Sequence, residues 1–378
     1  MLGQTRFWLS PRNENQGYSN MSIVQPNFRP TRRRLMQGAG MFAAMSFLPR
    51  NALSAEDKKL SFYNYDTYIG ETTLADFNAA TGIEVKMDLF ADGDELFTKL
   101  KAGNPGYDVI VPTNDKVERM IKANMLVPLD HGKIPNIKNV DPNFMNPSFD
   151  PGRKYSLPYQ WGTVGVGYRK SKVEGVIDSW KWLLDDQKYA GHVALLGDQE
   201  HSIGSALKYL GYSYNSTNIT ELNKAKDLLI SAKSIIKKYA GDNGQDLLAQ
   251  GEVDITMEYN GDIAQVMVED EDLAFSIPKE GGNVWEDTIA IAAGAPHPEN
   301  AHAFINFIFD PEVGKKITET IRYATPNLAA KNLMDGAYKE NPAIFPPDEV
   351  LSKCEYSAYL GEEALKVRDE LWTAIQAA

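Results

Sequence analysis

The chain has 378 residues, with 51 acidic against 39 basic ones and a formal charge of −12. Such an acid excess argues against nucleic acid or anionic membrane surfaces as partners and suits a cationic solute. The single cysteine, Cys354, cannot form an internal disulfide.

Residues 1–28 are polar and carry no apolar period. Thr31-Arg32-Arg33-Arg34-Leu35-Met36 fits a twin-arginine export signal. The apolar stretch after it, residues 38–48, is too short to cross a bilayer. Ala52-Leu53-Ser54-Ala55 offers small residues for cleavage after Ser54 or Ala55, and a start at Met21 would give a signal of ordinary length. Residues 1–55 are therefore set apart as an extension and signal peptide, and the expected location is periplasmic. Their removal leaves 32 basic and 50 acidic residues, a net charge of −18. Export in the folded state suits a chain without disulfides.

From residue 59 onward, strands and helices alternate. Residues 59–64 read as a strand, and a helix follows from about Glu71 with Leu74 and Phe77 on one face. Residues 83–89 alternate as a strand, and 95–101 read as a helix. Residues 107–111 form a continuous apolar run, as a strand buried on both faces would. The helix after Pro112-Thr113 carries Val117, Met120 and Ile121 at helical spacing. Further along, 193–196 is a strand ending near Asp198, and 203–210 is a helix. Residues 222–239 read as one long amphipathic helix. Residues 253–257 form a strand ending at Tyr259, with a helix starting near Asp262. Residues 274–277 and 288–292 are strands, and a helix opens at Pro298 with Phe304, Ile305 and Ile308 inward. The β-then-α order implies a mostly parallel sheet, and about 320 residues suffice for two α/β lobes. Proline-rich turns break the pattern at 141–147 and 341–348.

Three stretches mix rings with carboxylates at strand ends: Tyr63 to Tyr68, Glu258 to Asp262, and Trp285-Glu286-Asp287. Rings offer π faces to a cation, and carboxylates offer it charge-assisted hydrogen bonds. In open α/β sheets ligands sit at the carboxyl ends of strands, where Tyr65, Thr113, Asp198 and Tyr259 fall. Catalytic patterns are thin. No phosphate-binding glycine loop and no His-Glu-x-x-His pair occurs, and the five histidines lack metal-ligand spacing. Glu200-His201-Ser202-Ile203-Gly204 keeps two of the three fixed positions of a nucleophile elbow, so a serine hydrolase using Ser202 with His297 or His302 is the enzymatic alternative.

Tyr63 to Tyr68, Thr81-Gly82-Ile83-Glu84-Val85, Tyr107 to Pro112, Leu157 to Thr163, Pro278 to Gly282 and Thr325 to Ala330 together resemble the periplasmic spermidine- and putrescine-binding proteins of ABC transporters. The match is collinear from about residue 59 to about 330. The resemblance implies a two-lobed solute-binding fold of type II, each lobe a mostly parallel sheet flanked by helices, with the ligand cleft between them. Lobe 1 would comprise 56–165 and 286–335, and lobe 2 would comprise 166–285 and 336–378. It also implies a monomer that is not an enzyme, needs no cofactor, captures a polyamine and passes it to an inner-membrane permease. The alternative within the binding class is a receptor for another amine or small solute that feeds a sensor.

The resemblance further implies a ligand shell. Tyr65 and Tyr68 take the aromatic pair of the first loop, with Asp66 and Thr67 between them. Thr113 takes a small hydroxyl position. Asp198 takes a carboxylate of the second lobe, and Tyr259 the place of a stacking tryptophan. Trp285, Asp287 and Tyr323 match family residues, and Asp262 matches an aspartate of putrescine-type members. Four positions depart from the pattern: His201 where a glutamate is usual, Asp115 near an aromatic position, Ser357 for a glutamine, and Tyr65 for a tryptophan. On this reading His201 titrates near ~6.5 and weakens amine binding when protonated. Glu286 faces away from the ligand and is silent in binding, and Trp161 is packing.

Overall fold

Parallel β-α-β units build both ends of one curled sheet. The structure is a computed structural model and describes residues 56–241 and 243–378. The twin-arginine motif, its apolar run and the cleavage site lie outside the described residues.

At one end, Lys59–Asn64 is β1, whose Leu60, Phe62 and Tyr63 are buried. It lies between β2 (Glu84–Leu89) and β3 (Val109–Ile110), parallel to both. The crossovers are helices, as parallel pairing demands. Helix Thr73–Thr81 stops at Gly82, which takes φ 72°, a left-handed conformation that glycine adopts without a Cβ penalty. Helix Gly93–Lys101 begins on Asp92, whose carboxylate accepts from the Asp94 and Glu95 amides. Its acids lie in the first turn and its lysines in the last, matching the helix dipole.

A long strand then changes partners. β4, Ser156–Arg169, is buried along almost its whole length. Beyond it lies a second parallel set: β5 (Val193–Leu196) between β6 (Ile236–Ala240) and β7 (Ile255–Tyr259). β8 (Leu273–Ser276), β9 (Asn283–Ile291) and the short β10 (Glu355–Tyr356) complete the sheet. β4 runs antiparallel to β9 from Ser156 to Thr163, and antiparallel to β7 and β8 from Val164 onward. The order is β2-β1-β3-β9-β4-β7-β5-β6, with β10 beside β9 and β8 beside β4. The result is two lobes, one on β1 to β3 and one on β5 to β7, each with its strand ends at a shared cleft. The parallel strands other than β6 are those expected from the sequence. The long strands that join them are antiparallel, so the whole sheet is mixed.

Gly162 lies on β4 just before the change of partner. A Cβ there would strike the Trp285 ring and the Asn260 side chain, so only glycine lets β9 and β7 approach this closely. The expected helix over 222–239 is corrected. Helix Ile219–Ala232 ends early, and Ile236–Ala240 turns back as β6 to pair with β5. Core packing holds the lobes' helices on. Phe304 sits edge-on between Phe62 and Phe77, with ring centroids 5.2 and 5.1 Å away. Each such ring contributes about 1.5–3 kcal/mol through burial.

Candidate functional site

The carboxyl ends of β1, β3, β5 and β7 and the middle of β9 open onto one cleft of about 1140 Å³. Tyr65, Thr67, Tyr68, Thr113, Asp115, Asp198, His201, Tyr259, Asp262, Trp285, Asp287 and Tyr323 all line it. Asp66 does not. Its carboxylate accepts from the Thr67 amide, 2.9 Å away, and is exposed, which corrects its expected place in the site. Thr67 itself has φ 51°, a strained turn that carries the chain from Tyr65 to Tyr68.

The rings form a continuous series along the cleft wall. Tyr65 meets Tyr68 at 5.6 Å, Tyr68 meets Tyr323 at 6.1 Å, and Tyr323 meets Trp285 at 4.9 Å. Trp285 meets Tyr259 at 6.0 Å, and Tyr259 meets His201 at 5.4 Å. All are edge-to-face, the arrangement the ring quadrupole favours. Such a wall suits a methylene chain and the cations at its ends.

Asp287 is 7% exposed, and the Tyr68 hydroxyl donates to its Oδ2 at 2.7 Å. Its Oδ1 has no hydrogen-bond partner among the described residues. Tyr68 is positioned from behind, since its carbonyl accepts from Asn64 Nδ2 at 2.8 Å and from the Tyr159 hydroxyl at 2.9 Å. Burial pushes the Asp287 carboxyl up to about 7; the Tyr68 bond opposes this and the charge of Asp115 adds to it. A buried acid with one unused oxygen calls for a cation.

At the other end, Asp198 caps helix Gln199–Tyr209 through the His201 amide at 2.8 Å. It also faces His201 Nδ1 at 2.9 Å. Burial alone would raise Asp198, but the His201 charge outweighs it and holds the carboxyl below its ordinary value. Burial likewise disfavours a charged His201, yet Asp198 raises it to about 9, with Glu200 and Glu258 adding. The expected titration near ~6.5 is thus corrected: Asp198 favours the charged imidazolium of His201 through neutral pH. It is also buried rather than solvent-facing.

Sequence reasoning missed Glu200 and Lys116. Glu200 lines the cleft and accepts the Ser357 hydroxyl, and burial and Asp115 raise its carboxyl. Lys116 reaches Asp94 at 2.9 Å and Asp115 at 3.3 Å. A helix-face pattern shows neither, because both lie in first turns whose direction depends on the cleft. Ser357 lines the cleft and also accepts from Asn283 Nδ2 at 2.6 Å. At the rim, Arg119 grips Glu362 with two bonds of 3.0 and 3.1 Å.

The hydrolase alternative finds no support in geometry. The Ser202 hydroxyl is buried and donates to the Leu196 carbonyl at 2.8 Å. His297 is tied to Asp108 and His302 to the Pro298 carbonyl. Trp161 packs against Phe144 and Phe345, away from the cleft.

Residues 72–346 match the family of bacterial extracellular solute-binding proteins. The chain belongs to this family. The solute-binding protein is 33% identical over 344 residues to the putrescine-binding periplasmic protein SpuD of Pseudomonas aeruginosa strain UCBPP-PA14, covering 86% of this chain and 94% of that one. It is 33% identical over 358 residues to the putrescine-binding periplasmic protein PotF of Escherichia coli strain K12, covering 89% and 96%. Among solved structures, the spermidine/putrescine ABC transporter substrate-binding protein PotD of Streptococcus pneumoniae superposes with a TM-score of 0.78 at 32% identity, covering 85% and 99%. These solute-binding relatives share the two-lobed type II fold. Among the described residues of this protein no helix is long and apolar enough to cross a membrane.

Proposed function

We propose that this solute-binding protein captures a polyamine of the putrescine or spermidine class in the periplasm and delivers it, as a monomer, to an inner-membrane ABC permease. The observation that carries this reading is Asp287, buried beside Tyr68 and Trp285 with Oδ1 unpartnered. One ammonium pairs with that oxygen, the ring series flanks the methylenes, and Glu200, beside the His201-paired Asp198, receives the far end. The relatives' names support the same class of ligand. Lobe 1 takes residues 56–165 and 286–335, and lobe 2 takes 166–285 and 336–378; closure rotates one on the other about β4 and β9. Closure removes water and strengthens each charge pair inside.

Calorimetry with putrescine, cadaverine, spermidine, agmatine and a neutral sugar tests this. Wild type should bind an amine and ignore the sugar. Asp287→Asn keeps the shape and removes the charge, and should cost ~2–5 kcal/mol of binding, as for loss of a buried charge partner. An unchanged affinity in that variant, or a preference for the sugar, would overturn the reading.

A further inference from the structure

A resident ammonium already occupies part of this cleft. The Lys116 side chain is 17% exposed and lines the cavity. Its stem lies over Gly93, where an added Cβ would come within 3.2 Å of the lysine Cε. Its Nζ sits 2.9 Å from Asp94 Oδ1 and 3.3 Å from Asp115 Oδ2. The other Asp115 oxygen accepts the Thr113 hydroxyl. Both oxygens of Asp115 are therefore used from within the protein, although its charge is felt at Asp287 on one side and at Glu200 on the other. Asp115 was expected to contact the ligand; here the protein's own lysine neutralises it.

We propose that Lys116 is a specificity-determining residue: its ammonium takes the anionic position that a third amine would otherwise occupy, so the cleft accepts a diamine and rejects a triamine. This rests on the polyamine reading above. The physics is negative selection by charge. A triamine that reached Asp115 would meet Lys116 at ion-pair distance and find no unpaired acid there. A diamine that spans from Asp287 to the far acids passes only methylenes there and is not penalised. Removing the lysine charge leaves Asp115, only 18% exposed, without a counterion. A third ammonium would then supply it.

The test compares putrescine and spermidine affinities, by calorimetry at fixed ionic strength, in wild type, Lys116→Met and Lys116→Arg. Wild type should bind putrescine at least ~10-fold more tightly than spermidine. In Lys116→Met the ratio should move at least ~10-fold towards spermidine, and Lys116→Arg should keep the wild-type ratio. If Lys116→Met does not fold, Lys116→Gln carries the same expectation, because its amide can still donate to Asp94. A wild type that binds putrescine without preferring it, or a ratio unmoved in the neutral variant, overturns this inference and leaves the polyamine reading intact. A wild type that binds neither amine overturns both.

Discussion

Asp287 ties the cleft's chemistry to pH. Its carboxyl, pushed up to about 7 by burial, must be ionised to hold an ammonium. Above about pH 7.5 the charge is already present. Below 7 a proton has to leave on binding, so affinity should fall by up to about tenfold per pH unit. Glu200, raised for the same reason, acts in the same direction. His201, held near 9, stays charged and contributes no such fall. Dissociation constants measured at about pH 5.5, 6.5 and 7.5 check this, and Asp287→Asn should flatten the curve. Without ligand the sign reverses. The folded state holds these protons more firmly than the unfolded chain, so stability should decline as pH rises from about 4 towards 7. Much of the cleft lining was legible as residue types, because aromatic and acidic side chains at strand ends have few reasons to cluster. The protonation state of His201 was not, since it depends on Asp198 folding back to cap the same helix.

On β9, alternate residues serve opposite needs. Trp285 and Asp287 face the cleft, while Glu286 faces the interior and meets Arg153 at 2.7 Å, both fully buried. The alternation could be read from the sequence; the partner could not, because Arg153 lies 133 positions away in a turn where it takes φ 54°. Glu286→Gln should leave amine affinity near wild type but leave the Arg153 charge unpaired. Urea unfolding at about pH 8, where Glu286 is ionised, should show a loss of ~3–5 kcal/mol. The other elements follow the same division. β1, β5 and β7 announced themselves as short apolar-rich runs and β2 as an alternating one. β4 did not, because Pro158, Gly162, Gly165 and Gly167 look like breakers and burial on both faces erases alternation. Residues 236–240 look helical because two lysines follow an amphipathic helix, and only pairing with β5 makes them a strand.

For the molecule as a whole, the route to its working place is a separate matter from its fold. Replacing Arg32 and Arg33 together by Lys should leave unprocessed precursor in the cytoplasm, read by fractionation and immunoblot. Normal periplasmic accumulation would remove the twin-arginine route. The two-lobe plan was legible from length and the repeated β-α order, but the way the lobes share strands was not. That sharing has a thermodynamic consequence. β4 pairs with β9 up to Thr163 and with β7 and β8 from Val164 onward, with no loop between them. Loss of either lobe therefore strips hydrogen bonds from the other, so neither half should persist as a partly melted remnant. Heat should take the chain apart in one cooperative step, and a protease should find the intact protein or short fragments, with no long-lived single lobe between.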